Sequence, residues 1–455
     1  MPLFALLLTT LRQLGIHFNP VADMPYIPGE LELEPMLVLA NNIRENVLTL
    51  NNFFAATSHP IPTFSADTAP NKTIIPPTSP SEIQDARSAL ISSARTLLDL
   101  ALGPVGILED LNANDTFCMQ VIHRYRIAQC FSPDEIITFE ELSSRCGLNV
   151  IDLKRVLRLV MTRHVFAEPR AGFVAHTAAT RLLREDDRIR AFSGIIAEER
   201  FPASAKAVDA LVKYGESQSS NQSGFSLANN TDLGLYDELQ THHPAREKRW
   251  NLAMSAMAAR IDFDFILDNS ELSSLDPGSL FVDVGGGNGT ISIGLAERLP
   301  HLHFLVQDAA PHAQAQSYSA KGSASKGDER RVMWQTHDFF TPQTIVGDTY
   351  YFRNIFHNWP DSQCVQILRH HLPVLRPKTR LIIDDFALHE PLTVPPFEER
   401  KTRSMDVTML VYFGSHERTI AQWRGILAEA DPRFRLEKFT QDPKQPNTIL
   451  QVVFG

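Results

Sequence analysis

Cysteine is scarce in this chain. Cys118, Cys130, Cys146 and Cys364 are the only four in 455 residues. They are too few for a disulfide framework, and none stands in the C-x-x-C spacing of a metal site. That excludes the small secreted scaffolds and leads us to expect a reducing, cytosolic setting, with Cys364 inside a helix core. Cationic charge is scarce as well. With 43 Lys and Arg against 53 Asp and Glu, the net charge is −10, so the dense basic surface that nucleic acids or anionic membranes require is missing and neither partner is expected. The opening MPLFALLLTTLRQLG is apolar but lacks a basic start and a small-residue cleavage signal, so no signal peptide is expected. No apolar run reaches the roughly 18 residues needed to span a bilayer.

What is present is a globular composition, 43% apolar and 21% charged, in a chain longer than one hydrophobic core usually organises. The most informative stretch is LFVDVGGGNGT, residues 280–290. Leu280, Phe281, Val282 and Val284 read as a short buried strand, and Ile291, Ile293, Leu295 and Leu299 give the period of a following helix. Between them Gly285, Gly287 and Gly289 remove the Cβ atoms that would keep a ligand from the backbone, and the amides opening the helix face whatever occupies the turn. A small, polar, nucleotide-like cofactor suits such a turn. Eighteen residues beyond Thr290 a second apolar strand ends in Asp308, where doubly wound folds place a carboxylate for a ribose diol. The dinucleotide fingerprint G-x-G-x-x-G would need glycine at 290, and Thr290 stands there instead. Asp283 inside the strand, followed by glycines at 285, 287 and 289, resembles the first motif of class I S-adenosylmethionine-dependent methyltransferases.

Along the chain, residues 31–54 and 81–102 carry helical periodicity, the second stopped by Gly103-Pro104. The stretch 58–82 holds six prolines and reads as a non-helical connection, either a linker or an arm lying on a partner subunit. Residues 117–183 follow the order of a winged helix: helix 117–128, strand 136–138, helix 139–146 closed by Gly147, helix 151–163, then a ribbon of 165–167 with 172–175. Its third helix carries Lys154, Arg155, Arg158 and Arg163, but apolar residues occupy much of the same helix, and packing against another copy is the better reading than DNA. Residues 185–270 read as mainly helical, interrupted by the polar run 215–230, with Trp250, Leu252, Met254 and Met257 as a core stripe. From 280 onward, strands at 280–284, 303–307, 332–336, 348–353, 379–386, 434–439 and 448–454 alternate with helices. That is the pattern of a parallel α/β sheet finished by a hairpin, with 321–330 as a polar loop. The expected division is an N-terminal extension and helical arm (1–115), a winged-helix-like region (116–185), a helical connector (186–270) and a Rossmann-like α/β domain (271–455).

Three separated segments bring chemistry toward one rim of that sheet. His357 in YFRNIFHNWPD follows the fourth strand, Asp385 in LIIDDF ends the fifth, and Glu417 lies in FGSHERT. An imidazole can take a proton at neutral pH, and a carboxylate on its other nitrogen fixes the tautomer and steadies the cation. On these motifs, residues 117–455 resemble the plant- and fungal-type small-molecule O-methyltransferases, which join a winged-helix dimerisation region to a class I methyltransferase domain. The resemblance implies His357 as general base, with Asp385 and Glu417 as its acids. It also implies S-adenosyl-L-methionine bound by Asp283, Gly285, Gly287, Asp308, Asp338, Phe339 and Arg353, no metal, a homodimer, and a hydroxylated, phenolic secondary metabolite such as a fungal polyketide as substrate. The alternative it leaves open is an O-methyltransferase-like pericyclase or dehydratase that uses the bound cofactor without transferring its methyl group, with His123 or His337 donating in its pocket.

Overall fold

The computed structural model describes residues 35–67, 74–76, 79–217, 219–258, 261–309, 331–442, 445 and 447–455. The expectations for 1–30 and for 321–330 lie outside them. The chain forms two units, one of residues 1–61, 75–111 and 389–401, the other of 62–74, 112–388 and 402–455.

In the first unit, helix α1 (Pro35–Thr57) pairs with helix α2 (Ser81–Glu109) through Leu50, Phe54, Ile75, Ile83 and Ala86. Gly103 adopts φ 65°, ψ 177°, and Pro104 opens the last helical turn, a position where its missing N–H and fixed φ cost nothing. The predicted stop is therefore a kink, after which the helix resumes. One expectation is corrected here: α2 is long and apolar enough to cross a membrane by length and composition. Its Leu and Ala are interspersed with Ser, so no uninterrupted apolar run announces it.

The second unit opens with α3 (Asn114–Arg124), β1 (Ile137–Thr138), α4 (Phe139–Cys146), α5 (Val150–Met161) and β2 (Phe173–Val174). Local chemistry sets the ends of these helices. Thr138 and Glu141 form a capping box, Gly147 at φ 78° closes α4, and the Asn149 side chain accepts from Asp152 N. The predicted ribbon is corrected: β2 pairs with β1, while 165–167 contributes only the bridge Ala167–Ala175. The basic residues of α5 are engaged, Lys154 with Glu140, Arg155 with Asp152 and Arg158 with Glu168. The proline-rich connection is described over 58–67, 74–76 and 79–82. Ser65 bridges Thr177 and the Phe64 ring stacks 3.7 Å from His164, so this segment lies on its own winged helix.

Helices α6 (Ala178–Glu185), α7 (Asp187–Ile195), α8 (Phe201–Tyr214), α9 (Gly224–Asn229), α10 (Leu235–His242), α11 (Pro244–Ala258) and α12 (Phe263–Ser270) follow. The polar run 215–230 is thus not wholly irregular, because Ser223 caps the short α9. Trp250 is buried with Ala253, Tyr412 and Phe413, and Leu252 and Met254 pack against that cluster, as its helical spacing predicts.

A seven-stranded sheet completes the chain: β3 (Leu280–Val284), β4 (His303–Asp308), β5 (Val332–Thr336), β6 (Thr349–Arg353), β7 (Arg380–Asp385), β8 (Phe434–Thr440) and β9 (Thr448–Phe454), interleaved with α13 (Thr290–Arg298), α14 (Asp361–His371), α15 (Pro396–Phe413) and α16 (Ile420–Ala430). The order is β5-β4-β3-β6-β7-β9-β8, with β9 antiparallel to both neighbours and the other pairs parallel. Alternate residues serve two cores. Val282, Val284, Tyr350, Phe352, Leu381 and Ile383 enter one, and Phe281, Tyr351 and Ile382 the other, which is why these strands read as unbroken apolar runs. Because the chain winds outward from β3 to β5 and then returns to β6, the order reverses between β3 and β6. The crevice beyond the carboxyl ends of those two strands is where an open α/β sheet receives a ligand.

Candidate active site

The glycine turn occupies that crevice. Gly285, Gly287 and Gly289 have φ of 72°, 54° and 74°, a region costly for residues with a Cβ. Gly285 N and Gly286 N donate to Gln307 O at 2.8 and 3.1 Å, and Gly287 N donates to Asp308 Oδ2 at 3.0 Å. A Cβ on Gly285 would lie 2.4 Å from Ile355 Cδ1 and 3.6 Å from Phe339 Cε1, and one on Gly286 would lie 2.5 Å from Asp283 Cγ. Asp283 therefore sits against the turn as a brace. Its carboxylate accepts from Ser292 Oγ at 2.7 Å, and burial pushes its pKa up to about 6.

Asp308 ends β4 beside Gly287, and Phe339 faces the Gly285 turn while packing edge-on against Trp359 at 5.8 Å. Asp338 is exposed and accepts from Phe340 N at 2.9 Å. Arg353 stands at the end of β6, one residue past the Val284–Phe352 pair of the β3–β6 register, and its guanidinium is paired with Asp384.

Just beyond, Asn354 turns the chain at φ 53° into the single 3-10 turn Phe356–Asn358, which carries His357. Its Nδ1 lies 3.0 Å from Glu417 Oε1 and 3.4 Å from Asp385 Oδ1, and its backbone N–H donates to Asp385 Oδ2 at 3.2 Å. The ring stacks on Phe386 at 5.8 Å. The three side chains chosen from the sequence are thus brought together and buried. Both acids face Nδ1, so the opposite nitrogen, Nε2, is the atom left to exchange a proton with a ligand. Burial alone would lower the His357 pKa, but the charges of Asp385 and Glu417 outweigh it and raise the imidazole to about 9. Burial in turn raises both acids, Glu417 to about 7. Three such groups could hold a metal ion, and here Nδ1 lies within hydrogen-bond reach of Glu417. Asp385 also accepts from the backbone N–H groups of His357 and Phe386, so the arrangement is a histidine held by two acids.

His123 and His337 are not part of it. The His123 ring packs against Gly194 and Arg249, and the His337 backbone N–H donates to Asp308 O. Two further residues escaped sequence reasoning. Tyr236 stacks on Phe413 at 5.5 Å and meets Trp250 edge-on at 6.1 Å. Burial of its phenol and then the charge of Asp308 raise its pKa, and it hydrogen-bonds the Asn358 side chain, while 42% of the residue as a whole stays accessible. Tyr236 thus stands between Asp308, beside the glycine turn, and Asn358, beside His357. An aromatic at the start of an unremarkable helix gives no sequence signal for that. Arg418 stands within the ERT motif, yet its partners near His357, Asp361 Oδ1 and the carbonyls of Phe356 and Trp359, come from a segment about 60 residues earlier. A cavity of about 430 Å³ lined by Ala207, Ser217, Pro360, Asp361, Asp406 and His416 adjoins the segment before Glu417. Neither His357 nor the glycine turn lines it, so the chemistry does not sit there.

The donor set suits a nucleoside cofactor: backbone amides without side chains over them, a carboxylate beside the turn, and an aromatic face. Residues 217–432 match the O-methyltransferase domain family. The chain is 35% identical over 401 residues to the grayanic acid biosynthesis cluster O-methyltransferase of Cladonia grayi, covering 87% of this chain and 83% of that protein. In fold it resembles the crystal structure of OxaC in complex with S-adenosylhomocysteine and oxaline (TM-score 0.72, 20% identity, 92% of this chain and all of that one). It also resembles a structure described as a pericyclic reaction enzyme (TM-score 0.66, 23% identity, 82% and 95%). With a relative this similar over most of both chains, and a cradle that fits the cofactor, this chain belongs to the O-methyltransferase family and uses S-adenosyl-L-methionine to methylate a small molecule.

Proposed function

We propose that the acceptor is a phenolic hydroxyl of a secondary metabolite and that His357 is its general base, and the His357–Glu417–Asp385 cluster is the observation that carries this reading. The bound cofactor supplies an activated methyl group. The protein does the rest. Nε2 of His357 takes the hydroxyl proton as the oxygen becomes nucleophilic, and Glu417 and Asp385 hold the ring with Nδ1–H toward them and steady the imidazolium formed. Proton transfer to a placed base contributes a factor of about 10²–10⁴. Holding the two reactants in line contributes up to roughly 7–11 kcal/mol. A base raised to about 9 matches a phenol, whose pKa is about 10, far better than an aliphatic alcohol. Tyr236, accessible and backed by the buried rings of Trp250 and Phe413, offers a flat acceptor a stacking partner.

A homodimer is also part of this proposal. Support comes from the apolar side chains left exposed on and after α1 and α2, among them Leu37, Leu98, Val105, Leu108 and Leu111, a patch of the kind that marks an interface. Light scattering on the purified protein tests it.

The reaction is tested by incubating the purified protein with methyl-labelled cofactor and a panel of phenols. Formation of S-adenosylhomocysteine with a labelled methyl ether is the expected result. Conversion of a substrate with the cofactor left intact would instead establish the pericyclic or dehydrating alternative.

A further inference from the structure

Strand β7 ends in two acids whose side chains, one residue apart, leave on opposite faces of the sheet. Asp385 goes to His357. Asp384, fully buried, goes to the other side, where its Oδ2 accepts from the Tyr351 hydroxyl and from Arg353 Nη1. Its Oδ1 has no hydrogen-bond partner. The backbone around it is fixed, since Asp384 O accepts from Asn354 N at 3.1 Å and from Asn447 Nδ2 at 2.9 Å. Arg353 remains 17% accessible at the crevice, and its charge is felt by Asp283 beneath the glycine turn.

A guanidinium at this place is awkward on its own. The donor molecule carries a fixed sulfonium cation, and two like charges in a partly desolvated crevice repel more strongly than in water. The product formed from it is a neutral thioether, to which the same guanidinium is indifferent. An uncompensated Arg353 would therefore favour product over donor.

We propose that Asp384 is the charge-compensating residue of the cofactor site: by neutralising Arg353 it lets the end of β6 offer hydrogen-bond donors beside the glycine turn without repelling the sulfonium, and so sets the balance between cationic donor and neutral product. The inference rests on the glycine turn being the cofactor site. A buried carboxylate with one oxygen unpartnered is costly to keep for packing alone, whereas neutralising a cation that must face another cation gives it a purpose.

Calorimetric titration with S-adenosylmethionine and, separately, S-adenosylhomocysteine tests this without any turnover. In Asp384→Asn, which keeps the shape and removes the charge, the affinity for S-adenosylmethionine falls about tenfold, a change of about 1.4 kcal/mol, and that for S-adenosylhomocysteine changes less than about threefold. Arg353→Gln moves the ratio of the two affinities the other way, and the double variant returns it to the wild-type value. If Asp384→Asn fails to fold, Arg353→Gln alone decides, because an unchanged ratio there overturns the proposal. Equal weakening of both ligands in Asp384→Asn overturns it too, and would make Asp384 a brace of the strand. The site assignment is read independently by Gly285→Val: were S-adenosylhomocysteine still to bind that variant as it binds the wild type, the glycine turn would not be the site at all.

Discussion

Glu417 Oε1 lies 3.0 Å from His357 Nδ1, with Asp385 at 3.4 Å from the same atom. Both carboxylates favour the imidazolium, and the ring is held at about 9. A base works only when unprotonated, so the rate rises with pH and the acid limb of the kcat profile falls on the alkaline side of neutrality. Removing one negative charge disfavours the imidazolium and lowers its pKa. Glu417→Gln therefore moves the limb toward lower pH while reducing the plateau about 10²-fold, since the hydrogen bond that fixes the tautomer is weakened. Asp385→Asn moves it in the same direction with a smaller loss. Single-turnover rates from pH 6 to 10 read both effects, and a limb unchanged in Glu417→Gln would separate the acid from the base.

His357→Ala takes away the proton acceptor and nothing that holds the cofactor. Turnover falls by about 10²–10⁴, and the dissociation constant for S-adenosylhomocysteine stays within about twofold of wild type. Titration calorimetry beside a product assay distinguishes this from general damage to the domain, which would weaken both.

Much of this was legible before the structure, for identifiable reasons. The strands from Leu280 to Phe454 lie close to where the sequence places them, and the central ones β3, β4, β6 and β7 stand out most because strands buried on both faces cannot hide their composition. His357, Asp385 and Glu417 stood out because each follows or ends an element at one sheet edge. Contacts made across long sequence separations were not legible. The pairing of β1 with β2 depends on register between segments 35 residues apart, the bridge from Ser65 to Thr177 on a proline-rich stretch without periodicity, and the place of Tyr236 on how α10 meets the sheet. The role of Asp384 was not legible either, since only the fold reveals that adjacent acids on a strand serve two different sites.

Gly285→Ala combines two penalties. The backbone stands at φ 72°, and the added methyl would lie 2.4 Å from Ile355 Cδ1. The conformational part costs about 1–2 kcal/mol, and the contact forces Ile355 toward the space the cofactor needs. We expect a lower melting temperature and at least about tenfold weaker S-adenosylhomocysteine binding. Adding Ile355→Val recovers part of the binding without recovering the conformational cost, so melting temperature and affinity separate in the double variant.

Arg418 is 1% exposed and ties the segment after Glu417 to the turn that carries His357. It donates to Asp361 Oδ1 through Nε at 2.8 Å and Nη2 at 2.7 Å, to Phe356 O at 3.1 Å and to Trp359 O at 2.7 Å. The last two carbonyls bracket His357; Phe356 O also accepts from the Trp359 N–H at 3.0 Å, whereas Trp359 O has beyond Arg418 only the weak Cys364 thiol donor at 3.3 Å. Arg418→Met leaves Trp359 O poorly satisfied, at about 1–3 kcal/mol, and urea denaturation should report a loss of about that size. Its charge acts separately, because Arg418 lowers the pKa of His357. Without that charge the imidazole is harder to deprotonate, and the acid limb of the rate profile moves to higher pH, opposite to Glu417→Gln. Arg418→Lys keeps the charge but lacks the planar fork that reaches carboxylate and carbonyls together. It should therefore hold the limb in place while kcat still falls. A limb that moves equally in the Met and Lys variants would show that Arg418 acts only by fixing the turn.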